Sequence, residues 1–126
     1  MNNTLKKLFF CAAVVSLLVS SGCGKRADET KPISEVKAEA EKMSVTELQS
    51  MALKYKNAIT AKKNDLEKSA AKLKEIKIAK LMDDEAKRLK ADIETVEKSI
   101  KALTQRFTVY YDKLKEKGGD LSGLNL

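Results

Sequence analysis

Apolar side chains recur three and four residues apart through the second half of the chain: Ala86, Leu89, Ile93, Val96, Ile100, Leu103, Phe107, Tyr110 and Leu114. Residues with that spacing share one face of an α-helix, and sustained over several heptads they form a coiled-coil seam. The first half carries a weaker row: Val45, Leu48, Ala52, Tyr55, Ile59, Lys62, Leu66, Ser69, Leu73, Ile76 and Lys80. Lys62, Ser69 and Lys80 interrupt its apolar character but not its spacing. The two rows are out of phase. Extending the first past Lys80 reaches Asp83, Lys87 and Lys90, whereas the second begins at Ala86 and Leu89. A single straight helix would have to present two stripes about 100° apart. A break near Met82-Asp83-Asp84 removes the conflict, and either aspartate suits the cap of a new helix.

The pattern therefore predicts an all-α fold, a long antiparallel helical hairpin or coiled coil with helices over 45–81 and 84–117, each about 50–55 Å long. Ser44-Val45-Thr46-Glu47 has the form of a capping box, with Met43 and Leu48 placed as its hydrophobic staple. No Gly or Pro interrupts the chain from there to Lys117, where Gly118 and Gly119 supply a stop. Lys113, Lys115 and Lys117 complement the dipole of the last turn. Antiparallel pairing sets Leu48 opposite Leu114, Tyr55 opposite Tyr110, and Ile59 near Phe107 and Leu103. The alternative is a bent or continuous rod that assembles with its own copies. Either way each helix buries one stripe, so self-association or a partner is expected. Met51, Ile78, Met82 and Val109 lie off the seams and are available for a second contact.

The flanks differ from this body. Residues 24–43 hold the chain's single Pro and dense charge without a broad apolar stripe, which predicts a flexible tether with some helical tendency from Ser34 onward. The segment 120–126 is expected to be a disordered tail or to dock on a partner. Residues 1–22 are organised as a leader: MNNTLKK has two lysines and no acid, LFFCAAVVSLLV is apolar, and SSG is small. This run of twelve residues, apolar except for Ser16, makes a helix of about 18 Å, short of the roughly 30 Å hydrocarbon core of a bilayer.

Composition narrows the chemistry. The chain has 126 residues, 34% of them charged and 5% aromatic, with no His and no Trp. Its formal charge is +7, and loss of Lys6 and Lys7 with the leader leaves 23 basic against 18 acidic residues. Lysines and glutamates interleave along the helices, which makes a mildly basic, solvated surface rather than a cationic patch. Zinc sites and nucleophilic triads lack their His and Cys, so catalytic residues, a metal site and enzymatic activity are not expected. GCGKR is not a phosphate loop, since Val19 holds the place of the upstream Gly. Asp83-Asp84-Glu85 reads as helix-capping charge. Few aromatics are available for base stacking, so nucleic acid is not expected as a partner, and without a residue group that specifies a chemical activity neither is a small-molecule substrate.

The junction Ser20-Ser21-Gly22-Cys23 resembles the lipobox of bacterial lipoproteins, although that family usually has Leu or Val where this chain has Ser20. The resemblance covers about the first 23 residues. It implies cleavage after Gly22 by signal peptidase II, with diacylglycerol and an N-acyl chain such as palmitate covalently attached to Cys23, and no other cofactor. Cys11 then leaves with the leader. Two or more acyl chains anchor stably, at about 0.8 kcal/mol per buried methylene. Gly24, where an Asp would mark inner-membrane retention in enteric bacteria, resembles the outer-membrane class on its periplasmic side.

The expectation that follows is a non-enzymatic lipoprotein of the bacterial cell envelope, a structural or interaction module. Its lipid tethers it to the membrane and its seam (Leu89, Ile93, Val96, Ile100, Leu103, Phe107, Tyr110 and Leu114) recruits itself or another envelope protein. Two alternatives share this shape. One is a chaperone-like or accessory subunit of an envelope secretion or assembly machine. The other is a cell-wall spacer similar to the murein lipoproteins, which attach through a C-terminal Lys. This chain ends Leu124-Asn125-Leu126, which leaves only noncovalent wall contact.

Overall fold

The computed structural model describes residues 26–76, 80 and 83–126, and within them three helices follow in order: α1 (Ile33–Lys42), α2 (Val45–Glu75) and α3 (Asp84–Glu116). The described chain is all-α. Helices α2 and α3 are about 46 and 50 Å long at 1.5 Å per residue and pair as an antiparallel hairpin. The start of α2 is the capping box its sequence spells. Ser44 Oγ accepts from the Glu47 amide at 3.3 Å, and the Glu47 carboxylate accepts from the Ser44 amide at 2.8 Å. At the other end of the hairpin, Gly118 takes a left-handed φ of +70°. Its amide donates to Lys115 O at 3.0 Å and the Gly119 amide to Leu114 O at 2.9 Å, the two bonds of a Schellman stop.

The expected register holds. Tyr55 and Tyr110 meet across the hairpin with ring centroids 5.4 Å apart. Leu48, Ala52, Tyr55 and Ile59 from α2 join Leu103, Phe107, Tyr110 and Leu114 from α3 in one core. The turn comes earlier than the apolar row predicts. Helix α2 ends at Glu75 rather than 81, where Ile76 becomes extended and its amide bonds Leu73 O at 3.3 Å. Its last seam positions, Leu66, Ser69 and Leu73, are only half-buried, so little packing sustains the helix once local propensity runs out.

Two further corrections concern the flanks. The segment expected to be a tether is, from Arg26 onward, part of the body. Helix α1 lies against α3 and runs in the same direction, burying Val36 and Ala40 completely. Its ten residues are fewer than an isolated helix needs, so its order comes from docking. One half of the hairpin thus has three helices, with α1 as the third, and the other half has two.

The segment 120–126, expected to be disordered, folds back onto that three-helix half. Asp120 closes a tight turn by accepting from the Ser122 amide at 2.8 Å. Leu121 and Leu124 then reach the core, Leu124 with 2% exposure. Lys56 Nζ donates to the Gly123 carbonyl at 2.5 Å and fixes the turn to α2.

Candidate interaction surface

Helix α3 carries two rows. The first is the seam toward α2. The second, Ser99, Ala102, Arg106, Val109 and Lys113, has the same alternation of three and four and receives the segment that leads into α1. Arg106 is the centre of that row and is only 6% exposed. Its Nε donates to the Lys31 carbonyl at 3.0 Å, Nη2 donates to the same oxygen, and Nη1 donates to Ala102 O at 2.7 Å. Burying a guanidinium is tolerable because its fork is occupied by carbonyl acceptors.

On either side of Arg106 the strap is fastened again. Ser99 donates to the Glu29 carboxylate, and Tyr55 Oη donates to the Asp28 carbonyl at 2.9 Å. The Asp28 carboxylate accepts from the side chain and amide of Thr30, which holds its pKa below the usual range and forms the turn before Pro32. Lys31 pairs with Glu39 one face along.

The C-terminal end of α1 is held by cations. Lys113 pairs with Glu41 and Glu116, each at 2.6 Å. Lys117 Nζ donates to the carbonyls of Glu41 at 3.0 Å and Met43 at 2.7 Å, oxygens the helix leaves unpaired at its end. Donating to Glu116 and Glu41 raises the pKa of Lys113, and accepting from Lys113 lowers that of Glu41. A shallow groove remains between α1 and α3, lined by Ile33, Lys37, Ala40, Val109, Asp112 and Lys113 among others. Both of its rims are charged.

The predicted seam residues divide between the halves. Leu103, Phe107, Tyr110 and Leu114 are buried in the closed half and Ile100 packs against that core part-buried, while Leu89, Ile93 and Val96 are half-buried in the two-helix arm. Leu66 and Leu73 of the facing helix α2, and Ile76 at its C-cap, are half-buried too. Only Ala86 is fully covered on the arm's α3 seam. The arm's outer surface carries exposed pairs such as Lys98–Glu94 at 2.7 Å and Lys87–Asp84 at 3.9 Å, contributing little in water. Phe107 also stacks against Tyr111, centroids 5.5 Å apart, which gives the aromatic cluster an intrahelical role in the closed half.

Gly22 and Cys23 lie outside the described residues, as do Ile78 and Met82. Asp83 stands at the N-cap of α3 without a side-chain cap bond, and Asp84 and Glu85 sit in its first turn. Among the described residues no three His, Cys, Asp or Glu side chains gather as metal ligands, and no helix is long and apolar enough to cross a membrane. The residues that sequence reasoning passes over are Val36, Ala40, Ser99, Arg106 and Leu124. A signal for some existed: Ile33, Val36 and Ala40 are spaced as a short amphipathic helix behind Pro32, and Val109 marks the second row. No protein-family model, curated protein or solved structure matches the chain.

Proposed function

We propose that the chain is a non-enzymatic, lipid-anchored helical-hairpin module of the bacterial cell envelope, held at the membrane through Cys23 and meeting a protein partner with its two-helix arm. The split seam carries this reading. Leu103 to Leu114 lie in the core that the chain's own third layer closes, whereas Leu89, Ile93 and Val96 keep heptad spacing but stay part-open. An apolar row that the chain covers only partly is suited to a second copy or another envelope protein. Gly24 favours the periplasmic side of the outer membrane as the place of action.

Two measurements test it. Cells fed a labelled fatty acid should incorporate it into the protein, and Cys23→Ala should abolish the label and release or stall the chain. Light scattering and crosslinking should then find a dimer or a captured partner. Ile93→Glu with Val96→Glu should abolish that association while the helical circular dichroism persists. A monomer that crosslinks to nothing in the envelope would refute the arm as an interaction surface.

A further inference from the structure

We propose that the strap formed by residues 26–31 sets the lipid anchor against the middle of the hairpin, so that the molecule lies along the lipid surface. The inference rests on the reading of Cys23 as the lipidated residue, and otherwise on covalent reach and on the described contacts.

The strap is fastened at three successive points. Asp28 is bonded through its carbonyl to Tyr55, Glu29 through its carboxylate to Ser99, and Lys31 through its carbonyl to Arg106. Ala27 packs against the core beside them. Ser99 lies in the middle of α3, about 22 Å from Asp84 and about 26 Å from Glu116 along the helix axis. The chain therefore reaches the hairpin at its waist.

Cys23 is three peptide units from Arg26, and three units span at most about 11 Å. A diacylglyceryl cysteine sits at headgroup level, so the waist is held within that reach of the lipid. Each end of the hairpin is twice as far from the waist as the anchor allows. Standing the long axis along the membrane normal would drive one end below the headgroups. Neither end is suited to that: Asp84, Glu85, Lys87 and Arg88 are exposed at one, and Lys115, Glu116 and Lys117 at the other. Charged side chains in hydrocarbon are strongly disfavoured. A hairpin lying in the plane meets no such penalty, and Lys25 and Arg26 place two positive charges beside the anchor, complementary to anionic phospholipid. If residues 24–43 were a free coil, they would span about 25 Å on average and leave the orientation unconstrained. Docking of the strap removes that freedom. The arm then meets its partners in the plane of the membrane.

The test uses the mature lipidated protein reconstituted in phosphatidylethanolamine–phosphatidylglycerol vesicles with a headgroup-attached energy acceptor. A donor is placed on Glu85→Cys, near the turn, or on Lys115→Cys, at the opposite end. Comparable transfer from both positions is expected. Insertion after Lys25 of a Gly/Ser spacer of about 15 residues, which spans about 20 Å, should cause a loss of transfer at both ends with unchanged circular dichroism. Strong transfer from one end and almost none from the other, or indifference to the spacer, would overturn the proposal. Failure of the anchor reading is seen separately: a tryptic N-terminal peptide without acyl mass, or Cys23→Ala still bound to membranes, removes the premise itself. A lipidated, vesicle-bound chain standing on end overturns the orientation alone.

Discussion

The guanidinium of Arg106 and the carbonyl of Lys31, 75 positions apart in the chain, are joined by two hydrogen bonds to one oxygen. Through this contact α3 holds the segment that leads into α1, and the hairpin acquires its third layer. Arg106→Ala leaves the Lys31 and Ala102 carbonyls without that donor in a site where Arg106 is only 6% exposed. The expected loss is about 1–3 kcal/mol in urea unfolding. Tryptic cleavage after Arg26 in the strap and after Lys37 in α1 should accelerate together with it. Arg106→Lys should recover little, because an ammonium cannot reproduce the fork.

The two halves of the seam predict unequal responses to the same truncation. Leu103 is 2% exposed in the closed half, and Leu103→Ala is expected to cost about 2–5 kcal/mol. Leu89 is half-buried in the arm, and Leu89→Ala should cost about 1–2 kcal/mol, since part of its surface is already in water. Denaturant unfolding of the monomeric chain measures both. Equal losses would contradict the division between a covered half and an open arm.

Gly118 and Gly119 stop α3 for different reasons, and alanine at each should separate them. A Cβ on Gly119 would stand 2.1 Å from Leu114 Cδ1 and 3.0 Å from Val45 Cγ1. Leu114 is fully buried and cannot swing away freely, so Gly119→Ala is expected to cost about 1–3 kcal/mol through overpacking. Gly118 meets nothing within 4 Å but has φ of +70°, so Gly118→Ala should cost about 1 kcal/mol of backbone strain. Melting temperatures of the two variants test the order.

Burial pushes the phenols of Tyr55 and Tyr110 above the ordinary range, Tyr110 further, with the charges of Tyr55 and Glu39 adding to the effect there. The folded state thus favours the neutral phenols. Their contribution to stability is complete below the unfolded value of about 10 and is lost as the pH rises beyond it. Phenolate absorbance from these two residues should therefore appear together with loss of the helical signal in alkali, not before it. Among the described residues Tyr110 Oη is also the buried side-chain oxygen without a hydrogen-bond partner. Tyr110→Phe is expected to stay within about 1 kcal/mol of the parent, on the stable side, because it removes an unsatisfied hydroxyl. It should move the alkaline unfolding edge to higher pH.

Much of this architecture is legible along the chain. Ser44 and Glu47 build a cap that needs only four consecutive residues. Gly118 and Gly119 build a stop that needs six, counted from Leu114. The heptad rows place Tyr55 opposite Tyr110 once the phase break near Asp83 is taken as a turn. The candidate surface was legible only as a list of seam positions. Nothing in the row from Ala86 to Leu114 distinguishes Ile93, which stays part-open, from Leu103, which is covered.

Sequence by itself determined the helices, their caps, their stop and the register of the hairpin, because each depends on neighbours within a few turns or on two matching periodic rows. Tertiary structure alone decided which half of the seam is closed. That closure comes from Val36, Ala40 and Leu124, carried by segments too short to stay ordered without a surface to dock on. They become ordered only when Arg106, Lys113, Lys117 and Lys56 supply hydrogen bonds from far along the chain. A short segment gains more from such a preformed surface than from its own propensity, and that surface exists only after the hairpin has formed.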